Sequence, residues 1–137
     1  MVEETKEVIM KSKEVFYRGQ PLEHLKTLGV REAAQYLPSR SRRSVLRNFQ
    51  VHEKFIQHCE RQLSQRKRIR THLRDIVITP RLVSMVIGIH NGKAFTDITV
   101  TPAMIGHRLG EFALTRVKVT HGTAGIGATK GSKTEKK

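Results

Sequence analysis

The stretch MVIGIHNGKAFTDITVT, residues 85–101, decides the fold class of this chain. Met85 to Ile89 is an apolar run, and it stops at Asn91-Gly92. That dipeptide is the strongest short hairpin signal, because both residues accept the positive φ of a type I′ turn. In the returning arm, Lys93 to Thr101, Ile98 and Val100 alternate with Asp97, Thr99 and Thr101, the pattern of a strand with one buried face. A small antiparallel sheet is therefore expected here.

Working outward, Ile76-Val77-Ile78 is a short buried-strand run ended by Thr79-Pro80. Downstream, Thr101 can cap a helix whose first residue, Pro102, lacks only an N–H that would be unpaired there. Met104, Ile105 and Leu109 form its apolar stripe and Gly110 ends it; TRVKVT at 115–120 is weakly strand-like. Upstream, residues 1–20 read as loosely attached until Val15-Phe16-Tyr17, which can anchor on a surface. Pro21 starts a short helix, PLEHLKTL, with Gly29 as its left-handed stop. VREAAQYL is a second helical stretch closed by Pro38. A helix from about Ser39 to Arg47 places Arg40, Arg43 and Arg47 on one face. A longer one, about Val51 to Lys67, turns Phe55, Ile56, Cys59 and Leu63 towards a core. No internal repeat is present, and the predicted class is α+β, with the helices gathered at one side of the sheet.

The 137 residues suffice for one modest core. Twenty-six Lys and Arg face twelve Asp and Glu, a formal charge of +14, which favours a polyanionic partner. The excess is not spread evenly. Residues 1–39 and 75–112 are neutral, whereas 40–74 carry net +9 and 113–137 net +5. A solvated helix face normally mixes signs, but residues 40–74 set eleven bases against two acids, with nine of the eleven arginine. The planar guanidinium fork binds phosphate bidentately and stacks on bases, so this segment points to nucleic acid.

Other chemistries find little support. With Cys59 the sole cysteine, an intrachain disulfide is excluded. The N-terminus lacks an apolar h-region, and no run approaches the roughly 18 apolar residues of a membrane helix. A soluble, cytoplasmic protein with no membrane partner is expected. GTAGIGAT at 122–129 aligns Gly122, Gly127 and Thr129 with a P-loop but puts Ala128 where the lysine belongs. No strand and helix flank it as a nucleotide site needs. Such a Gly/Lys tail suits threading along a nucleic-acid backbone. His52, His58 and Cys59 share a helix without stacking on one face, so no metal is expected, and Cys59 reads as a core residue. No catalytic set is apparent; no cofactor is expected and the chain is not read as an enzyme.

The stretch Asn91 to Thr115, NGKAFTDITVTPAMIGHRLGEFALT, closely resembles the small-subunit ribosomal proteins numbered nineteen in bacteria and fifteen in the eukaryotic scheme. The shared pattern is an Asn-Gly-basic turn, a strand, and G-H-x-L-G-E-F with Ser or Thr three residues on. YLPSRSRRS at 36–44, IRTHLRDIVITP at 69–80 and HGTAGIGAT at 121–129 resemble the archaeal and eukaryotic branch. Two departures stand out: Ala124 replaces a proline common in that branch, and GSKTEKK replaces an apolar, proline-containing end.

The resemblance implies a three-stranded antiparallel sheet with flanking helices and basic terminal extensions. It divides the chain into an N-terminal extension (1–20), a basic helical region (21–68), an RNA-binding α+β core (69–120) and a flexible Gly/Lys-rich tail (121–137). It implies a place in the head of the small subunit, bound to small-subunit rRNA, beside the head protein numbered thirteen in bacteria. The tail would extend towards the tRNA sites, making tRNA a further candidate partner. Expected RNA contacts are Arg40, Arg42, Arg43, Arg47, Arg66, Lys67, Arg68, Arg70, His72 and Arg74, then Asn91, Gly92 and Lys93 at the turn. His107, Arg108, Arg116, Lys118, His121 and Lys130 complete the set. Gly106 costs about 1 kcal/mol inside a helix; close approach by RNA or another backbone, and tight helix-on-sheet packing, both account for it. A free-standing regulatory nucleic-acid binder is the rival reading, although two Tyr and five Phe leave it few stacking groups.

Overall fold

Each strand and helix forms where the chain can bury one face, and the computed structural model describes residues 15–118. GTAGIGAT, His121, Lys130 and most of the N-terminal extension lie outside the described residues. The first element is a small hairpin, β1 (Phe16–Tyr17) paired antiparallel with β2 (Gln20–Pro21). Arg18 and Gly19 between them take φ +49° and +80°, the two positive values of a primed turn. Of the expected anchor Val15-Phe16-Tyr17, Tyr17 packs against the main core, whereas Val15 and Phe16 stay exposed. Helix α1 (Leu22–Thr27) buries Leu25 completely. Gly29 is not its left-handed stop: it is extended, at φ −64°, and directly precedes α2 (Val30–Ala33). Its amide donates to the Glu32 carboxylate at 3.1 Å, which makes it an N-terminal residue of the next helix instead.

Helices α3 (Ser39–Arg47) and α4 (Phe49–Ser64) are separated only by Asn48. The second starts before Val51 and stops before Lys67, because Arg66 adopts φ +53° and breaks the helix. Phe55, Ile56 and Cys59 are buried as their spacing predicts, together with Val45 of α3. Leu63 is not: it is 56% exposed and lines an open cleft with Ile69, Met85 and Val86. His52 joins the core in a way its spacing does not announce. Its Nδ1 lies 2.9 Å from the Asn48 carbonyl, and its Nε2 accepts the buried Val77 N–H at 3.2 Å.

The sheet has three strands in the order β3 (Ile69–Thr71), β4 (Val86–His90) and β5 (Phe95–Thr99). β4 and β5 form the expected antiparallel hairpin, with His90 opposite Phe95. β3, however, runs parallel to β4, so the sheet is mixed and not antiparallel throughout. A parallel pair needs a long crossover, and residues 72–85 supply it without an α-helix. The apolar run Ile76–Ile78 belongs to that crossover. It is buried as expected but joins no sheet; it pairs instead with residues 106–110. The Ile78 amide donates to His107 O (2.8 Å), and the Gly106 and Leu109 amides donate to Ile78 O and Ile76 O (both 3.0 Å).

That pairing also removes the helix expected over 102–109. With the amides of Gly106, Leu109 and Gly110 given to the crossover, they cannot bond four residues back. Two short 3₁₀ turns, Pro102–Met104 and Leu109–Phe112, stand there instead. Pro102 does open the first, but the Thr101 side chain does not cap it. Gly106 between them sits at φ +88°, where an added Cβ would come 2.9 Å from Pro38 Cδ. Its neighbour is thus the protein's own Pro38 ring, and Ser41 Oγ donates to its carbonyl at 2.7 Å.

The hairpin turn departs from type I′ as well. Asn91–Ala94 form a four-residue connection in which Gly92 alone is left-handed, at φ +98°. Asn91 Oδ1 accepts the amides of Lys93 and Ala94 at 2.9 and 2.8 Å, the side-chain turn that favours Asn at such sites. One apolar cluster joins Val30, Leu37 and Phe55 of the helical region to Ile69, Ile87, Val100 and Ala113. Residues 114–118 form no strand.

Candidate nucleic-acid interface

Most of the excess charge sits on surfaces the fold leaves open. On α3 only Val45 is buried, and Arg40, Arg43 and Arg47 are exposed. Among the described residues none of the three guanidinium groups has a hydrogen-bond or ion-pair partner. Arg42, from the same helix, is differently used: its Nε and Nη2 donate to the carbonyls of Ala34 and Gln35 at 3.2 and 2.7 Å. It closes the end of the preceding turn, sharing the Ala34 carbonyl with the Leu37 amide.

A second basic surface follows α4. Arg66, Lys67 and Arg68 are exposed around the left-handed Arg66. Arg70 points outward from β3 between the buried Ile69 and Thr71. The three residues 66–68 also rim the cleft floored by Leu63, Ile69 and Val86, whose volume is about 470 Å³. Repulsion within such a cluster is relieved by a polyanion. Glu60, one of the two acids of the segment, is engaged by Arg81 at 2.7 Å.

Arg74 lies half-buried between the hairpin and the Leu109–Phe112 turn. Its Nη1 donates to His90 O at 2.6 Å, and its Nη2 donates to Gly110 O and Ala113 O at 2.8 and 2.6 Å. The guanidinium is thus spent on three carbonyls of its own chain, tying two parts of the fold together.

The hairpin tip presents Gly92 and Lys93 to solvent, with Asn91 partly covered. His107 and Arg108 are exposed beside the second 3₁₀ turn. His107 Nδ1 donates to Glu111 Oε2 at 2.7 Å, and the Arg108 amide to Glu111 Oε1 at 3.2 Å. Slight desolvation pushes the Glu111 carboxyl up, but the Arg108 amide and the His107 ring outweigh it and hold the group below its ordinary value. Arg116 and Lys118 are exposed in irregular backbone.

Nothing in the described residues suggests catalysis. Burial pushes the Cys59 thiol up to about 12, which leaves it protonated and unreactive at neutral pH. Among those residues no group of three His, Cys, Asp or Glu is placed to hold a metal, and no helix is long and apolar enough to cross a membrane. Two side chains near the interface, His90 and Phe95, escape a charge-based reading. They stack with His72 on the outer face of the sheet, and the only sequence signal is an aromatic in a solvent-facing position of β5.

A family model for ribosomal protein S19 matches residues 43–121, from within α3 through all three strands of the sheet. The chain belongs to the ribosomal protein S19 family. Among relatives, the small ribosomal subunit protein uS19 of the archaeon Methanocella arvoryzae is 46% identical over 125 residues. The aligned part covers 90% of this chain and 87% of that relative. Within the S19 family match lie the hairpin, the crossover paired with 106–110 and the Arg66–Arg70 surface. Arg40 on α3 precedes it. The resemblance read from Asn91–Thr115 therefore holds, and an archaeal relative accords with the branch assigned to it.

Proposed function

We propose that this chain is a structural, non-catalytic component of the small ribosomal subunit, binding small-subunit rRNA in the head of the particle. Membership of a ribosomal protein family and the name of the archaeal relative support this reading. The observation that carries the RNA contact is the pair of exposed basic surfaces, Arg40, Arg43 and Arg47 on α3 and Arg66, Lys67 and Arg68 after α4. None of these six has an acidic partner among the described residues. They neutralise phosphates and position the protein, a role that needs charge and reach and not a base-reading helix. Lys93, His107, Arg108, Arg116 and Lys118 extend the contact around the hairpin and the second 3₁₀ turn, with His121 and Lys130 continuing it along the tail.

In this reading the protein works in the cytoplasm within the ribosome, next to the head protein numbered thirteen in bacteria. It supports subunit assembly, and residues 121–137 reach towards the tRNA sites. Sedimentation tests it. The tagged chain should travel with small subunits and stay there through a high-salt wash, because many contacts must be released together. Quantitative loss to the soluble fraction in that wash would identify a regulatory binder instead.

A further inference from the structure

The outer face of the sheet carries a cluster that phosphate neutralisation does not use. Ile87 and Ile89 of β4 point into the core, so Val86, Gly88 and His90 face away from it, beside Arg70 of β3 and Phe95, Asp97 and Thr99 of β5. At one end of this face three rings meet. His72 and His90 have centroids 4.4 Å apart, and Phe95 meets them edge-on at 5.1 and 5.0 Å. The Arg70 guanidinium lies over the Phe95 ring at 5.2 Å. His90 is fixed from two sides: its carbonyl accepts from Arg74, and its Nδ1 accepts the Gly92 N–H at 3.1 Å. In the neutral ring the proton is therefore on Nε2, available to an acceptor.

A cross-strand aromatic pair such as His90–Phe95 stabilises a hairpin without any ligand. That role leaves the rest unexplained. His72 and Arg70 are exposed, come from β3 and the residue that follows it, and converge on the same ring. Next to them Gly88 carries no side chain and is covered by its neighbours, since an added Cβ there would lie 2.6 Å from Asp97 Oδ1 and 3.3 Å from Arg70 Cγ and Ile69 O. Lys93 stands in the adjoining loop. Flat π-faces and a flat cation beside a basic loop are what an unstacked base requires.

We propose that Arg70, His72, His90 and Phe95 form a stacking platform for one unpaired nucleobase of the RNA, with its flanking phosphate at Lys93. The inference rests on the rRNA-binding reading above and adds a base contact to it. Arg70 already occupies one face of Phe95, so an incoming base exchanges one flat partner for another and frees the guanidinium for a phosphate. Stacking of this kind tolerates any base.

The chain contains no tryptophan, so Phe95→Trp installs a single fluorophore at the platform and His24→Trp, on the exposed side of α1, gives a control. The full chain is titrated with a transcript of the head domain of small-subunit rRNA. Emission should be strongly quenched by RNA in the Phe95→Trp protein and little changed in the control. Phe95→Leu should weaken binding about 5- to 150-fold, the range for one lost stacked base, without changing the salt dependence, because no phosphate contact is removed. Wild-type affinity in Phe95→Leu together with no quenching in Phe95→Trp would overturn the platform while leaving RNA binding intact. A blue shift without quenching in whole subunits would overturn it in favour of a protein neighbour. Failure of the wild-type chain to bind the transcript would remove the underlying reading itself.

Discussion

Replacing Arg74 with Ala should destabilise the protein before it affects RNA binding. The guanidinium donates to three carbonyls, those of His90, Gly110 and Ala113, at 2.6–2.8 Å. Hydrogen bonds to a charged group are each worth roughly 1.5–3 kcal/mol net. The side chain is only half-buried, so water can recover part of the loss, and about 2–4 kcal/mol remains as the expected cost. For a domain of this size that lowers the melting temperature by roughly 8–16 °C, at about 4 °C per kcal/mol. Far-ultraviolet circular dichroism on heating would measure it, with urea titration as a second probe. Arg74→Lys should recover only part, because one ammonium cannot reach both the hairpin and the Leu109–Phe112 turn. A purely structural role is refuted if Arg74→Ala melts like the wild type but binds rRNA with a salt slope reduced by about one unit. Arg74 would then be a phosphate ligand.

Three further outcomes concern His52, Gly106 and Glu111. His52→Ala should cost about 1–3 kcal/mol in urea unfolding, because the buried Val77 N–H loses its acceptor. Gly106→Ala should cost a similar 1–3 kcal/mol, since φ is +88° and Pro38 Cδ would stand 2.9 Å from the new methyl; a wild-type midpoint would show that the turn relaxes freely. Glu111 has a folded-state pKa below its ordinary value, so its contribution is present above the unfolded value and is lost as pH falls through the folded one. Glu111→Gln should therefore flatten the acid limb of the stability curve slightly, measured as melting temperature between pH 6 and about pH 3.

The hairpin is legible in the sequence because its signals are local: an apolar run, an Asn-Gly, and Ile98 and Val100 in alternation. β3 is not. Its Ile69 and Thr71 alternate correctly, but Arg68 before them and Arg70 between them make the segment read as charge, and its parallel partner is distant along the chain. Distance also explains the lost 102–109 helix. The spacing of Met104, Ile105 and Leu109 fits a helical stripe, yet the amides of Gly106, Leu109 and Gly110 are claimed by Ile78, Ile76 and Arg74, which no local pattern reveals. Leu63 has helical spacing too, but spacing alone does not show that it borders an open cleft. The interface is legible as composition, since eleven bases against two acids need no structure to notice. Which arginines are spent on carbonyls of their own chain requires three dimensions, because Arg42 and Arg74 look like Arg43 and Arg70 until those partners appear. The His72–His90–Phe95 cluster similarly needs the register of three strands.

In the proposed function the exposed arginines bind rRNA through its phosphates. The most direct test compares the wild-type chain with an Arg40→Ala, Arg43→Ala, Arg47→Ala triple variant, measuring affinity for a head-domain rRNA transcript across salt concentrations. If all three side chains contact phosphate, the log–log slope should fall in magnitude by about two to three units, from roughly 0.9 per contact on duplex and 0.7 on single strands. The melting temperature should hold, because all three are exposed and none has a partner among the described residues. An unchanged slope would contradict the account and leave α3 a solvated basic surface.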